Sequence, residues 1–62
     1  MKYKIEIHSN GFEDYSKIVD RPSRGAVTKT DVLQAKVEWQ NHNDIDADYD
    51  SIELPFHRIT KV

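Results

Sequence analysis

The chain has 62 residues, and its 9 lysines and arginines against 11 aspartates and glutamates give it a net charge of −2. A chain this short buries only about 60% of the surface that its unfolded state exposes, so we expect residues 1–62 to form one small domain without room for separate cofactor and substrate domains. The absence of cysteine excludes disulfides, thiolate chemistry and cysteine-ligated zinc sites.

The composition is that of a folded protein of a reducing compartment. Hydrophobic residues make up 37% of the chain and both signs of charge are present, which disfavours disorder. No apolar run approaches the roughly 20 residues of a membrane helix, and the N-terminal residues lead into an alternating pattern, not into a signal-peptide core. We therefore expect no association with a membrane. The near-neutral charge also lacks the basic excess that is typical of nucleic-acid-binding proteins.

Residues 2–8 alternate between apolar and polar side chains. Tyr3, Ile5 and Ile7 fall on one face, and the polar side chains fall on the other. This period of two predicts a half-buried strand.

Asn10-Gly11 is typical of a hairpin turn because both residues tolerate a positive φ. A second strand is predicted from about residue 13 to residue 20. A two-residue turn would set Lys4 opposite Lys17. We favour a loop one residue longer, which sets Ile7 beside Tyr15 and Tyr3 beside Val19.

After the break at Pro22, a helix is predicted over about residues 24–41, with Ser23 as its N-cap. A shorter helix capped by Thr28 or Thr30, with Gly25 in the linker, is an alternative. Residues 33–40 also alternate as a strand would, but the length of the segment and its Gln, Ala, Lys and Glu content favour a helix. One helical stripe is formed by Ala26, Thr30, Leu33 and Val37.

The helix is expected to end at residues 41–43, and residues 44–50 to form a loop. In residues 51–62, Pro55 requires either an edge strand or a strand that starts after it at Phe56. The sequence thus predicts an α+β fold of order ββαβ, with the helix packed on a three-stranded antiparallel or mixed sheet. Trp39 is expected either at the edge of the core, which we favour, or as an exposed interface anchor. The predicted core is Ile5, Ile7, Val19, Leu33, Val37, Leu54, Phe56 and Ile59.

Residues 44–53 contain five carboxylates and no lysine or arginine: Asp44, Asp46, Asp48, Asp50 and Glu53. An EF-hand loop starting at Asp44 would need glycine at its sixth position and glutamate at its twelfth, which here are Tyr49 and Pro55, so no metal site is predicted. Alternate residues of an extended segment lie about 6.6 to 7 Å apart on one face, close to the spacing of nucleic-acid phosphates. We expect this segment to bind a basic protein surface, with Tyr49 or Ile45 as an apolar anchor. A merely solvated loop is the alternative.

Four basic residues near the junction of hairpin and helix suggest a second kind of site: Lys17, Arg21, Arg24 and Lys29. Such a patch would bind the phosphates of a single-stranded nucleic acid, while Tyr15 stacks on a base. An ordinary solvated surface has the same composition, and we do not expect direct binding of nucleic acid.

No catalytic or cofactor-binding motif is present in the sequence. His8, His42 and His57 lack metal-ligand spacing, and the serines lie in no G-x-S-x-G motif. Two glycines do not make a phosphate-binding loop. We therefore expect neither an enzyme nor a cofactor.

Three segments, taken in order, carry a family resemblance: YSKIV at 15–19, a helix ending near Glu38-Trp39, and RITKV at 58–62. In this pattern the chain resembles small uncharacterised proteins encoded by bacteriophages. The resemblance implies a cytoplasmic role in a bacterial host, where such proteins bind a host enzyme of restriction, CRISPR, repair or transcription and inhibit or redirect it. It assigns no functional residue.

Since Pro55 would protect one sheet edge from pairing, we favour a monomer over a homodimer.

Overall fold

The computed structural model describes residues 1–45 and 55–62. Strand β1 (Lys2–His8) and strand β2 (Tyr15–Asp20) are followed by a 3₁₀ turn (Arg24–Ala26), helix α1 (Lys29–His42) and strand β3 (Phe56–Lys61). The strands form an antiparallel sheet in the order β2-β1-β3, and α1 packs over β1 and β2. The predicted α+β fold of order ββαβ is confirmed.

The predicted hairpin register is confirmed. Ile7 pairs with Tyr15, and Tyr3 pairs with Val19. The turn is closed by the amide of Phe12, which donates to the carbonyl of Ser9 at 3.2 Å, and Gly11 adopts φ 87°. Strand β2 begins at Tyr15, two residues later than the sequence predicts.

Helix α1 is the shorter of the two helices that the sequence allows. The Thr28 side chain accepts from the Asp31 amide at 3.3 Å, and the Asp31 carboxylate accepts from the Thr28 amide at 3.0 Å. This capping box satisfies two amides that a helix start leaves without partners. Ser23 makes no capping bond with its side chain and precedes only the 3₁₀ turn, so the helix predicted over residues 24–41 is corrected to Lys29–His42.

The buried face of α1 is not the predicted stripe. The helix buries Val32, Ala35, Trp39 and Gln40, whereas Leu33 is 51% exposed. Trp39, the largest fully buried side chain, is only 1% exposed and lies within the core. With Trp39 buried, Leu33 lies beside the helix–sheet contact and stays half exposed.

Strand β3 begins at Phe56, directly after the buried Pro55, and it is an edge strand of the sheet. Both arrangements that Pro55 allows are therefore present. The prediction that Phe56 belongs to the core is wrong, since its side chain is 77% exposed. Phe56 pairs with His8 and therefore shares the outer face of the sheet, while Ile59, three residues further along β3, pairs with buried Ile5 on the inner face. Leu54, another predicted core residue, lies outside the described residues.

Four of the other predicted core residues are found in or beside the buried cluster, whereas Val37 is partly exposed and belongs to neither group. Ile5 and Ile7 are fully buried, and Val19 and Ile59 pack against them with partial exposure. Among residues 1–45 and 55–62, no helix combines the length and apolar character that crossing a membrane requires.

The two faces of α1 should respond differently to substitution. Trp39→Phe keeps an aromatic ring but removes a buried donor and some volume, and we expect it to lower the free energy of unfolding by about 1–3 kcal/mol. Leu33→Ser should change it by no more than about 0.5 kcal/mol, because Leu33 is half exposed. Urea denaturation followed by circular dichroism measures both, and equal losses would contradict the observed face.

Candidate functional site

The acidic segment of residues 44–53 starts at the end of α1. Asp44 is exposed and has φ 55°, and its amide donates to the carbonyl of Asn41 at 3.3 Å. Ile45 is partly buried against the core and donates to the carbonyl of Gln40 at 2.9 Å. The other predicted partner-binding residues lie outside the described part of the chain: Asp46, Asp48, Tyr49, Asp50 and Glu53.

Lys17 faces the helix, where it is held by a carboxylate. Its Nζ lies 2.7 Å from Oε2 of Glu38, and the Tyr15 hydroxyl donates to Oε1 of the same residue at 2.9 Å. The Lys17 ammonium, with help from Tyr15, lowers the pKa of Glu38, and the hydrogen bond to Glu38 raises the pKa of Tyr15. The ammonium and the hydroxyl therefore join β2 to α1.

Arg21 is likewise bound to the helix. Its Nη2 lies 2.7 Å from Oδ1 of Asp31, and Nη1 donates to the carbonyl of Asp20 at 2.8 Å. The guanidinium, followed by the amide of Thr28, lowers the pKa of Asp31. The same carboxylate therefore caps α1 and anchors the chain that leaves β2.

The four predicted basic residues do not form one free patch. Arg24, in the 3₁₀ turn, and Lys29, the first residue of α1, are exposed. Neither makes an ion pair with another described residue, whereas Lys17 and Arg21 are both paired with α1.

The three histidines occupy separate environments. His8 lies on the outer sheet face, with Nδ1 at 3.0 Å from Oδ1 of Asp14 and Nε2 at 3.6 Å from Oε2 of Glu6. The hydrogen bond to Asp14 is the main cause that raises the pKa of His8. His57 pairs with Ile7 and so lies on the opposite face. Over the described ranges, no group of three metal-ligating side chains is brought together.

A polar junction between the hairpin loop and the end of α1 was not evident from the sequence. The Trp39 Nε1 donates to the carbonyl of Glu13 at 3.1 Å, and Asn43 Nδ2 donates to the same oxygen at 3.0 Å. The Glu13 amide donates in return to Oδ1 of Asn43 at 2.8 Å. The available signal was the i, i+4 spacing of Trp39 and Asn43, which puts both on one helix face.

Histidine and aromatic contacts extend this junction. The His42 Nε2 lies 3.2 Å from Oε2 of Glu13, and its ring lies 5.6 Å from that of Tyr15. Phe12 meets Trp39 edge to face at 5.4 Å between ring centres. Because these contacts join the hairpin to the last turns of α1, they help to pack the hairpin on the helix.

Comparison with known proteins adds no family or relative. A scan against protein-family models, a search of curated proteins and a search of solved structures each found no match to this chain.

His8 should make stability depend on pH near neutrality. Since its pKa is raised in the folded state, its stabilisation is fully present below the unfolded value of about 6.5 and is lost as the pH rises through the folded value. The difference in free energy of unfolding between the native chain and His8→Gln should therefore shrink as the pH rises from about 6.5 through the folded-state pKa of His8.

The NMR titration of His8 provides the control. Its pKa should fall toward the ordinary value in Asp14→Asn, because the main partner is lost. A titration that is unchanged in Asp14→Asn would show that this ion pair does not form in solution.

Proposed function

We propose that this chain is a non-enzymatic protein of the bacteriophage type that acts in the cytoplasm of a bacterial host. In this proposal the chain binds a host protein with a basic surface, such as a nucleic-acid-processing or defence enzyme, and inhibits or modulates it. The acidic segment of residues 44–53 makes the contact, and its carboxylates take the place of nucleic-acid phosphates.

The uneven distribution of charge carries this proposal. Residues 1–43 contain seven basic and six acidic side chains, and residues 54–62 contain two basic and none acidic. Residues 44–53 contain five acidic side chains and none basic. A local field of this kind attracts a basic surface and raises the rate of association with it.

The position of the segment after α1 supports a role in binding. Asp44 follows the C-terminal end of the helix, where the helix dipole disfavours anions. Carboxylates here gain nothing for the helix, so its stability does not explain their number.

The contacts of the basic residues favour a protein partner over a nucleic acid. Lys17 and Arg21 are paired with Glu38 and Asp31, and bringing phosphates to them would compete with these ion pairs. Only Arg24 and Lys29 of the predicted basic patch remain exposed and without an ion pair among described residues. Two such charges supply little of the electrostatic affinity that nucleic-acid binding requires.

The proposal is tested by replacing aspartates of the acidic segment with asparagines, which have nearly the same shape but no charge. The immobilised chain is incubated with bacterial lysate at low salt, and the proteins it captures are identified and purified. The triple variant Asp46→Asn, Asp48→Asn and Asp50→Asn should bind the purified partner at least about tenfold more weakly, because the attraction to its basic surface is lost. Added heparin should compete for the same surface.

A matched variant separates the segment from the net charge. Glu13→Gln, Asp14→Asn and Asp20→Asn remove as many charges from exposed sites elsewhere and should leave partner binding intact. Equal loss in both variants, or no loss in either, would refute the proposal. A gel shift with single-stranded DNA that weakens steeply with salt would support the nucleic-acid-binding alternative instead.

A further inference from the structure

A groove lies between α1 and β3 on the inner side of the sheet. It has a volume of about 460 Å³ and is open to solvent. Its apolar lining comes from Val27, Val32, Leu33 and Ile59. Because α1 packs over β1 and β2, the described elements leave the inner face of the edge strand β3 incompletely covered.

Leu33 is the exposed apolar side chain of this groove. It is 51% exposed, while Val27 and Val32 are each 9% exposed. A half-exposed leucine alone is ordinary on a protein surface. Leu33, however, continues a buried apolar lining, so a partner can contact side chains that are already ordered.

Basic side chains border the groove. Lys29 and Lys36 line it from α1, and their spacing of seven places them on one side of the helix. His57 lines it from β3. Neither lysine makes an ion pair with another described residue, and no carboxylate is among the described lining residues. The border is therefore positively charged.

We propose that this groove binds an acidic peptide segment of a partner protein. Apolar side chains of that segment pack on Leu33 and Ile59, and its carboxylates pair with Lys29 and Lys36. The described residues that carry this inference are not those of the acidic segment of residues 44–53, so the inference does not depend on the proposed function.

The chemistry of the lining selects this occupant over a nucleic acid. Unpaired bases bind by stacking on aromatic rings, whereas the apolar part of the described lining is aliphatic and His57 is its one aromatic ring. An amphipathic acidic peptide presents apolar and anionic groups side by side. Its apolar contacts provide affinity, and its charges orient it in the groove.

Fluorescence polarisation with designed peptides tests the pairing of charge and apolar surface. The probe is a short fluorescein-labelled peptide of alternating aspartate and leucine. It should bind the native chain at least about tenfold more tightly than an asparagine-leucine peptide or an aspartate-serine peptide, since each of these lacks one of the two required chemistries. Equal binding of the asparagine-leucine peptide would overturn the proposal.

Matched substitutions locate the site. Leu33→Ser and Lys36→Glu should each weaken the probe about tenfold or more. Ile18→Ser and Lys2→Glu make the same changes on the outer sheet face, and Ile18 is as exposed as Leu33, at 51%. These two controls should bind normally, and circular dichroism checks that all variants are folded. A loss in the controls, or unchanged binding by Leu33→Ser, would refute the site.

Other occupants would also be revealed. If the probe binds only after Asp46, Asp48 and Asp50 are changed to Asn, the chain's own acidic segment competes for the groove and the proposal of a partner segment is overturned. A concentration-dependent dimer that Leu33→Ser abolishes in sedimentation would assign the groove to a second copy and overturn it equally.

Discussion

The packing of this protein depends on the hydrogen bonds between Glu13 and the end of α1. One carbonyl accepts from both Trp39 and Asn43, and the amide of the same residue donates back to Asn43. The indole is thereby buried without leaving its N–H unpaired, which would cost about 1–3 kcal/mol. With Trp39 fixed in this way, the rotation of the helix on the sheet is determined, and so is the identity of every side chain that it buries.

Polar contacts then hold α1 to β2 and its flanking residues along the whole length of the helix. Arg21 binds Asp31 in the first turn, Lys17 and Tyr15 bind Glu38 further along, and Glu13 meets the last turn. A small domain gains little from burial alone, so directional contacts of this kind contribute to a single orientation of its one helix. They also draw α1 toward β2 and away from β3, and this displacement opens the groove.

Local rules predicted the local features of this fold. Alternation in residues 2–8 and Asn10-Gly11 determine the first strand and the turn, and Pro55 delimits the last strand. The register follows from the apolar cross-strand pairs. The start of α1 was harder, because Ser23 and Thr28 are both good capping residues and only Thr28 is followed three positions later by a carboxylate that completes the box.

The orientation of the helix and the candidate surfaces depended on contacts distant in sequence. Leu33 and Phe56 are apolar in patterns that favour burial. With Trp39 in the core, however, Leu33 stays half exposed, and pairing with His8 places Phe56 on the outer face of the sheet. The sequence did not reveal that Lys17 and Arg21 pair with carboxylates of the helix. Their partners lie 21 and 10 residues away, respectively, and no local pattern links them. The binding role of residues 44–53 remains a prediction from charge and spacing, and the structure describes only Asp44 and Ile45 of this segment.

The strand order has a consequence for how the fold assembles. The central strand β1 pairs on one side with its neighbour in sequence and on the other with β3, and the amide of Val62 donates to the carbonyl of Lys2 at 2.9 Å. Closing that second ladder brings together the most distant described elements and costs the most loop entropy. The hairpin and α1 share the core around Trp39 and close shorter loops than β1 and β3 do, so we expect them to associate at a lower cost in loop entropy. During synthesis, the edge of β1 that later pairs with β3 therefore stays unpaired until β3 has emerged. The nascent chain exposes this edge for longer than the edge that pairs with β2.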